Sequence, residues 1–394
     1  MKMMSKLLRY FGYILFRPIW WLERLVLRNK KVWVFGAWYG QKYSDNSKWL
    51  YEYVLEHNPE IKAVWITKSR DVYNKLRSQD KPVCMSASAK GAWWCLRAKY
   101  AFLSSTQLDV NKFFLNGVKQ IWLWHGMPLK KILKSENNNQ IFKDRLFNML
   151  NPYLRFKPYS TLTASNYFIP FLKEAFELPE NRIWKTGLPR CDAFNSKRED
   201  SYIRTLKAKF PNAKIIMYMP TFRKTAGNTG EPFNPFVKQF DFDDKQFMNF
   251  LVKENVIFLY KPHFVDSGLI IPVFSDRFIL LNEQMFDDLY ILLNSVDALL
   301  TDYSSVYFDF LSAKKNIYLL PFDYEMYTKE SRSHYFNMFT EMKGCVCKSW
   351  PSFYDVYSTD MMNLEEDNIK FNEFNNGNAC KLITDRIITF NKGN

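Results

Sequence analysis

Short apolar runs, each followed by an interval long enough for a helix, recur along most of this chain and leave few folds open to it. They fall at residues 31–37, 61–67, 100–104, 120–124, 162–164 and 183–186, and again at 214–219, 256–261, 278–282, 298–301 and 317–320. A charged, poorly apolar interval at 195–200, containing Ser196-Lys197-Arg198-Glu199, parts the two sets. Strands that are apolar on both faces and alternate with helices build parallel sheets from βαβ units. The reading is an α/β fold of two doubly wound, Rossmann-type domains facing a cleft, over residues 31–198 and 199–394. The length of 394 residues is enough for two cores. In open sheets of this kind ligands sit beyond the carboxyl ends of the strands, and the polar motifs of the chain stand at those ends.

His125 follows the run 121–124, with Gly126 and Pro128 fixing a tight, non-helical loop and Lys130, Lys131 and Lys134 close behind. An imidazole is the side chain best suited to take a proton from a hydroxyl near neutral pH. Lysines beside it favour its neutral form and draw in an anion. Lys261-Pro262-His263 ends another run; Pro262 breaks regular pairing, and His263 with Lys261 can stabilise phosphate charge or protonate a leaving group. Thr301-Asp302-Tyr303-Ser304-Ser305 stands where a strand gives way to a helix, whose first turn offers unpaired N–H groups to phosphate. Asp309, a turn further on, shares a face with Ser304 and Ser305 and suits sugar or polyol hydroxyls. Thr221 and Arg223 follow the run 214–219, and Arg190 lies in Gly187-Leu188-Pro189-Arg190-Cys191-Asp192; each guanidinium matches phosphate oxygens. Each residue also has an ordinary role: serines cap helices, arginines close surface ion pairs, and histidines bond within loops. His57 and His334 lack such contexts and read as surface or structural. Together the motifs describe a place to hold a diphosphate and move a proton, the need of a phosphoryl- or glycosyl-transfer enzyme.

A net charge of +15 favours an anionic partner: nucleic acid, an acidic membrane surface or a phosphorylated substrate. The lysines form no repeated module and the aromatics read as core, so a nucleic-acid-binding protein is the lesser, non-enzymatic reading and no nucleic acid is expected as partner. The six cysteines are scattered, and Cys345 with Cys347 lacks nearby histidines, which reads as reduced thiols rather than a metal site. Asp241-Phe242-Asp243 falls in an expected loop, so no metal ligand is assigned and no cofactor is expected; whether a metal is needed is left open. There is no Walker A pattern, Gly-x-Gly-x-x-Gly run, His-Glu-x-x-His or Gly-x-Ser-x-Gly. Residues 1–30 interleave basic with aromatic and aliphatic side chains. Charges interrupt them too often for a membrane span, and Arg17 breaks the apolar core that a signal peptide needs. The segment reads as a basic amphipathic element, kinked at Pro18 and suited to lying in a headgroup layer.

In this order the motifs resemble the CDP-glycerol glycerophosphotransferase family, which contains the teichoic acid primases and polymerases. The resemblance runs over residues 31–348. Its carriers are Trp124-His125-Gly126-Met127-Pro128-Leu129-Lys130-Lys131, Gly187-Leu188-Pro189-Arg190-Cys191-Asp192, Pro220-Thr221-Phe222-Arg223, Lys261-Pro262-His263, Thr301-Asp302-Tyr303-Ser304-Ser305 and Asp309. Tyr43-Ser44-Asp45-Asn46-Ser47-Lys48 and Pro321-Phe322-Asp323 add support. The resemblance implies a GT-B-like fold with the nucleotide mainly on the second domain. It also implies transfer of a polyol phosphate from a CDP-polyol to a hydroxyl, with release of CMP. By the same resemblance His125 is the general base and His263 stabilises the diphosphate or leaving group. Ser304 and Ser305 cradle phosphate, Asp309 touches the glycerol, and Thr221 and Arg223 line the donor site. Gly126, Pro128, Lys130, Arg190, Lys261 and Asp302 complete the expected substrate-binding set. The implied donor is CDP-glycerol, with CDP-ribitol or a nucleotide sugar as alternatives. The implied acceptor is an undecaprenyl-diphosphate-linked glycan or a growing polymer, in teichoic acid or capsule-type synthesis. The implied place is the cytoplasmic face of the membrane, held peripherally on its anionic surface. Met127 stands where a threonine is usual, so any contact from that hydroxyl is lost. The large N-terminal region of the long polymerases is missing, which leads us to expect a primase or a transferase adding few units.

Overall fold

The computed structural model describes residues 20–135, 158–221, 233–262, 275–330, 333–358 and 360–392, together with Pro18, Asn151, Tyr153 and Arg223. Two parallel sheets form the frame. The first contains β1 (Asn29–Gly36), β2 (Lys62–Thr67), β3 (Val83–Met85), β4 (Ala98–Leu103), β5 (Lys119–Trp122), β6 (Ser160–Leu162) and β7 (Ile183–Trp184). The second contains β8 (Lys214–Met219), β9 (Val256–Tyr260), β10 (Phe278–Leu280), β11 (Ala298–Thr301), β12 (Asn316–Leu319) and β13 (Cys345–Val346). Strand order is β3-β2-β1-β4-β5-β6-β7 in the first and β10-β9-β8-β11-β12-β13 in the second. Both orders run outward, return to the first strand and continue the other way, as a doubly wound fold requires.

Burial explains the apolar runs. Val256–Tyr260 is buried throughout, and Val32–Gly36 likewise, because helices cover both faces of each sheet. Every strand expected from the sequence is present. β3 and β13 were not expected: three and two residues are too short for any periodicity to register. All six cysteines are free thiols.

One hydrophobic cluster runs from the first sheet through the interface into the inner face of the second. The chain's last helix, Ala379–Lys392, does not stay with the second sheet. It packs against helix Asp45–His57 and the 3-10 segment Pro189–Asn195 of the first lobe. The Asp192 carboxylate accepts from the N–H groups of Ala379 and Cys380 at 3.0 and 2.9 Å, capping that helix. Most of the expected amphipathic segment 1–30 lies outside the described residues. Its end is anchored: Glu23 is buried and accepts from Asn116 N–H at 2.9 Å, and Arg28 donates to the carbonyls of Leu96 and Cys95.

Candidate active site

The two switch points, where each strand order reverses, lie between β1 and β4 and between β8 and β11. The first holds His125. Beyond β5 the chain reaches Trp124 at φ 58°, a left-handed conformation costly for a bulky residue. Asn46 holds it there, its Nδ2 donating to the carbonyls of Trp124 at 2.8 Å and Leu123 at 3.3 Å. His125 Nδ1 lies 3.2 Å from the Ser104 carbonyl, just past β4, and its ring stands 5.4 Å from Trp38, just past β1. A carbonyl only accepts, so Nδ1 carries the proton and Nε2 is the basic nitrogen of the neutral ring. The ring is half-buried.

The second switch point holds Asp302 and Thr221. Asp302 is fully buried and accepts from Thr221 N–H at 2.8 Å. Arg223 Nη2 lies 2.8 Å from the other Asp302 oxygen, while its Nε donates to Asp323 at 2.7 Å. Burial opposes the Arg223 charge, but Asp302 and then Asp323 hold the guanidinium above its ordinary value. The Thr221 hydroxyl is enclosed and, among the described residues, has no hydrogen-bond partner. Ser304 and Ser305 are half-buried and precede a short helix, Val306–Phe310; Ser304 Oγ accepts from Val306 N–H at 3.3 Å. Lys261 ends β9, half-buried; burial pulls its ammonium below the usual lysine range. His263 lies outside the described residues.

Arg190 joins the two halves. It is buried between lobes, donating from Nη1 to Asp45 at 2.8 Å and from Nη2 to Asp309 at 2.5 Å. Asp309 also accepts from Tyr290 OH at 2.7 Å, so its oxygens are turned inward, and burial raises its carboxyl despite Arg190. Arg190, Arg223, Asp302 and Asp309, expected to touch substrate, bond to one another and to Asp45 and Asp323, and Arg190 Nε is left without a partner among the described residues.

The two motif loops meet at Gly126. At φ 139° it adopts a conformation that favours glycine. A Cβ placed there would fall on the Ser305 hydroxyl, 2.8 Å from Ser305 Cβ and 3.1 Å from Arg190 Nη2. Gly126→Ala is expected to push these loops apart and lower turnover about a hundredfold, with far less effect on the melting temperature; steady-state rates beside a thermal melt check it. Pro128 is buried, and Lys130 Nζ donates to Tyr327 OH at 3.2 Å.

One contributor escaped the sequence reading. Asn46 grips both His125's loop and Arg190, accepting from Arg190 N–H at 3.0 Å; the only signal was its place in Tyr43-Ser44-Asp45-Asn46-Ser47-Lys48. His334, read as surface or structural, pairs its backbone with Lys130 and sets its ring 6.0 Å from Tyr303, both nitrogens enclosed and without a partner among the described residues. Burial, and then Lys130, pushes it down to about 4, so the ring is neutral at physiological pH.

Comparison with known proteins follows the same lines. Residues 19–389 match the family described as CDP-glycerol:poly(glycerophosphate) glycerophosphotransferase. The chain is 27% identical to the teichoic acid glycerol-phosphate transferase of Staphylococcus aureus (strain NCTC 8325 / PS 47), covering 84% of each. It is 26% identical to the teichoic acid ribitol-phosphate primase of Bacillus spizizenii (strain ATCC 23059 / NRRL B-14472 / W23), over 93% of this chain and 92% of that one. Among solved structures, the wall teichoic acid polymerase TagF superposes with a TM-score of 0.73 at 20% identity, over 99% of this chain and 98% of that one. A putative UDP-N-acetylglucosamine 2-epimerase from Listeria monocytogenes shares the fold more distantly, with a TM-score of 0.55 at 12% identity over 92% and 97% of the two chains.

Proposed function

We propose, from the premise that this chain belongs to the CDP-glycerol:poly(glycerophosphate) glycerophosphotransferase family, that the cleft between its switch points transfers glycerol phosphate from CDP-glycerol. In this reading an acceptor hydroxyl attacks the glycerol-bearing phosphorus, a new P–O bond forms, and CMP leaves. His125 Nε2 takes the hydroxyl's proton. Ser304, Ser305, Thr221, Lys261 and Lys130 face the diphosphate, and His263 receives charge at the leaving phosphate. Arg190, Arg223, Asp302 and Asp309 position these groups rather than touch substrate.

One observation carries the reading: Gly126 seats the histidine loop against Ser305 of the other lobe. The Thr221 hydroxyl, enclosed and without a partner among the described residues, stands on the loop that Asp302 holds and supports a ligand there. The acceptor is an undecaprenyl-diphosphate-linked glycan or a growing polymer, met at the cytoplasmic face of the membrane. Among the described residues no helix is long and apolar enough to cross a membrane, which accords with peripheral attachment.

The relatives divide between glycerol and ribitol phosphate, so the donor is the point to test. CMP release is expected from CDP-glycerol, at least tenfold faster than from CDP-ribitol or a UDP-sugar, in the presence of a lipid-linked disaccharide. Faster turnover of CDP-ribitol would move the assignment to the ribitol branch, and turnover of neither would end it.

A further inference from the structure

The amino ends of the first sheet's strands point away from the cleft, and there the surface changes character. A cavity of about 300 Å³ opens among Tyr100, Lys119, Tyr159, Arg182, Trp184 and Arg386. Its cations sit on rings rather than on carboxylates. Lys119 Nζ lies 4.6 Å from the Tyr159 ring centre, Arg182 lies 3.8 Å from the same ring, and Arg386 lies 5.1 Å from that of Trp184. The nearby acids are engaged elsewhere, Glu180 with Lys185 and Asp385 with Lys381. Among the described residues no carboxylate pairs with any of the three cations. Burial works against it, yet Lys119 and Arg182 hold the Tyr159 hydroxyl below its usual range. Partial burial, and then Lys119, Lys30 and Arg28, draw the neighbouring Lys99 ammonium down.

The same face carries apolar side chains in water. Just ahead of β1, Trp21, Leu22, Leu25 and Leu27 are 58–84% exposed. The carbonyl of Leu27 accepts at 2.6 Å from Arg97, the last residue of the helix Ala89–Arg97 before β4, and Lys30 donates to Asn391 of the helix that carries Arg386. A cationic, ring-lined cavity beside exposed tryptophan and leucine suits a phosphodiester attached to hydrocarbon. A free sugar phosphate would gain nothing from those leucines.

We infer that this cavity holds the phosphate headgroup of an anionic membrane lipid, docking the first lobe beside the exposed residues ahead of β1. The inference rests on the reading of this enzyme as peripheral to a membrane, and the test separates the two. The full chain is sedimented with vesicles of phosphatidylcholine alone or with 30% phosphatidylglycerol. Two surface charges are removed by Arg182→Gln with Arg386→Gln, or, as a control on the other lobe, by Lys238→Gln with Lys245→Gln. The expectation is binding to the phosphatidylglycerol vesicles only, weakened about thirtyfold by the first pair and hardly by the second. CMP release with a soluble acceptor is expected to be unchanged in both, showing that each variant folds. Equal losses from the two pairs would leave membrane attachment standing and overturn the cavity as its site. No binding by the unsubstituted chain would overturn both. Release of the protein from vesicles by millimolar free glycerol phosphate would make the occupant a soluble phosphate and overturn the lipid assignment.

Discussion

Replacing His125 by alanine is expected to slow CMP release from CDP-glycerol about a thousandfold, within the range that a positioned general base contributes. The prediction follows from geometry. The Ser104 carbonyl fixes the proton on Nδ1, Trp38 and Trp124 flank the ring at 5.4 and 4.2 Å, and Asn46 holds the strained residue before it. Such an arrangement orients one basic nitrogen. The alanine variant is expected to keep its fold, losing about 1 kcal/mol for each hydrogen bond removed. Its affinity for CDP-glycerol, measured by calorimetry, should change little if the donor is held, as proposed, mainly by Ser304, Ser305, Thr221 and Lys261 of the second lobe. The loss then falls on kcat rather than on binding. A variant that still turns over within tenfold of the parent enzyme would remove His125 from the chemistry.

The largest effect on stability is expected at Arg190. Arg190→Met keeps much of the side chain's bulk but leaves Asp45 and Asp309 as buried carboxylates without a cation. Breaking a buried pair in this way costs about 3–5 kcal/mol, enough to lower the melting temperature by roughly 10 °C. The pH dependence follows from the Asp309 carboxyl, which burial already raises and Arg190 pulls back. Without Arg190 it rises further in the folded state, while the unfolded chain keeps the ordinary value. The unfolded chain then gives up its proton first as pH increases, so the variant loses stability with rising pH. Melts from pH 4 to pH 8 should show the deficit widening. Adding Asp309→Asn should recover most of it; a deficit independent of pH and of Asp309 would mean the clamp has another basis.

The frame of the molecule was legible in the sequence because parallel strands buried on both faces leave continuous apolar runs. Residues 256–260 and 298–301 could hardly be anything else. So was the placing of His125, Thr221 and Ser304, since each directly follows such a run. Arginine partnerships were not legible. Arg190 finds Asp309 119 residues later and Asp45 145 residues earlier, and nothing local distinguishes that guanidinium from one awaiting phosphate. The same holds for Arg223 and Asp323, and for the asparagine that steadies Trp124. The burial of His334 among the rings of Tyr303, Tyr324 and Tyr327, near Lys130, was hidden for a related reason: these residues meet it only through the fold.

The crossing of the final helix back to the first lobe has a bearing on how the polypeptide is made. Ala379–Lys392 covers helix Asp45–His57 and receives its cap from Asp192, so these three pieces mature together. A nascent chain that has already emerged through β7 still lacks that cover, and ribosomal synthesis runs from the other end. The earlier-made lobe stays unfinished until residues 379–392 have been synthesised, so losing that helix would uncover the first lobe rather than the second.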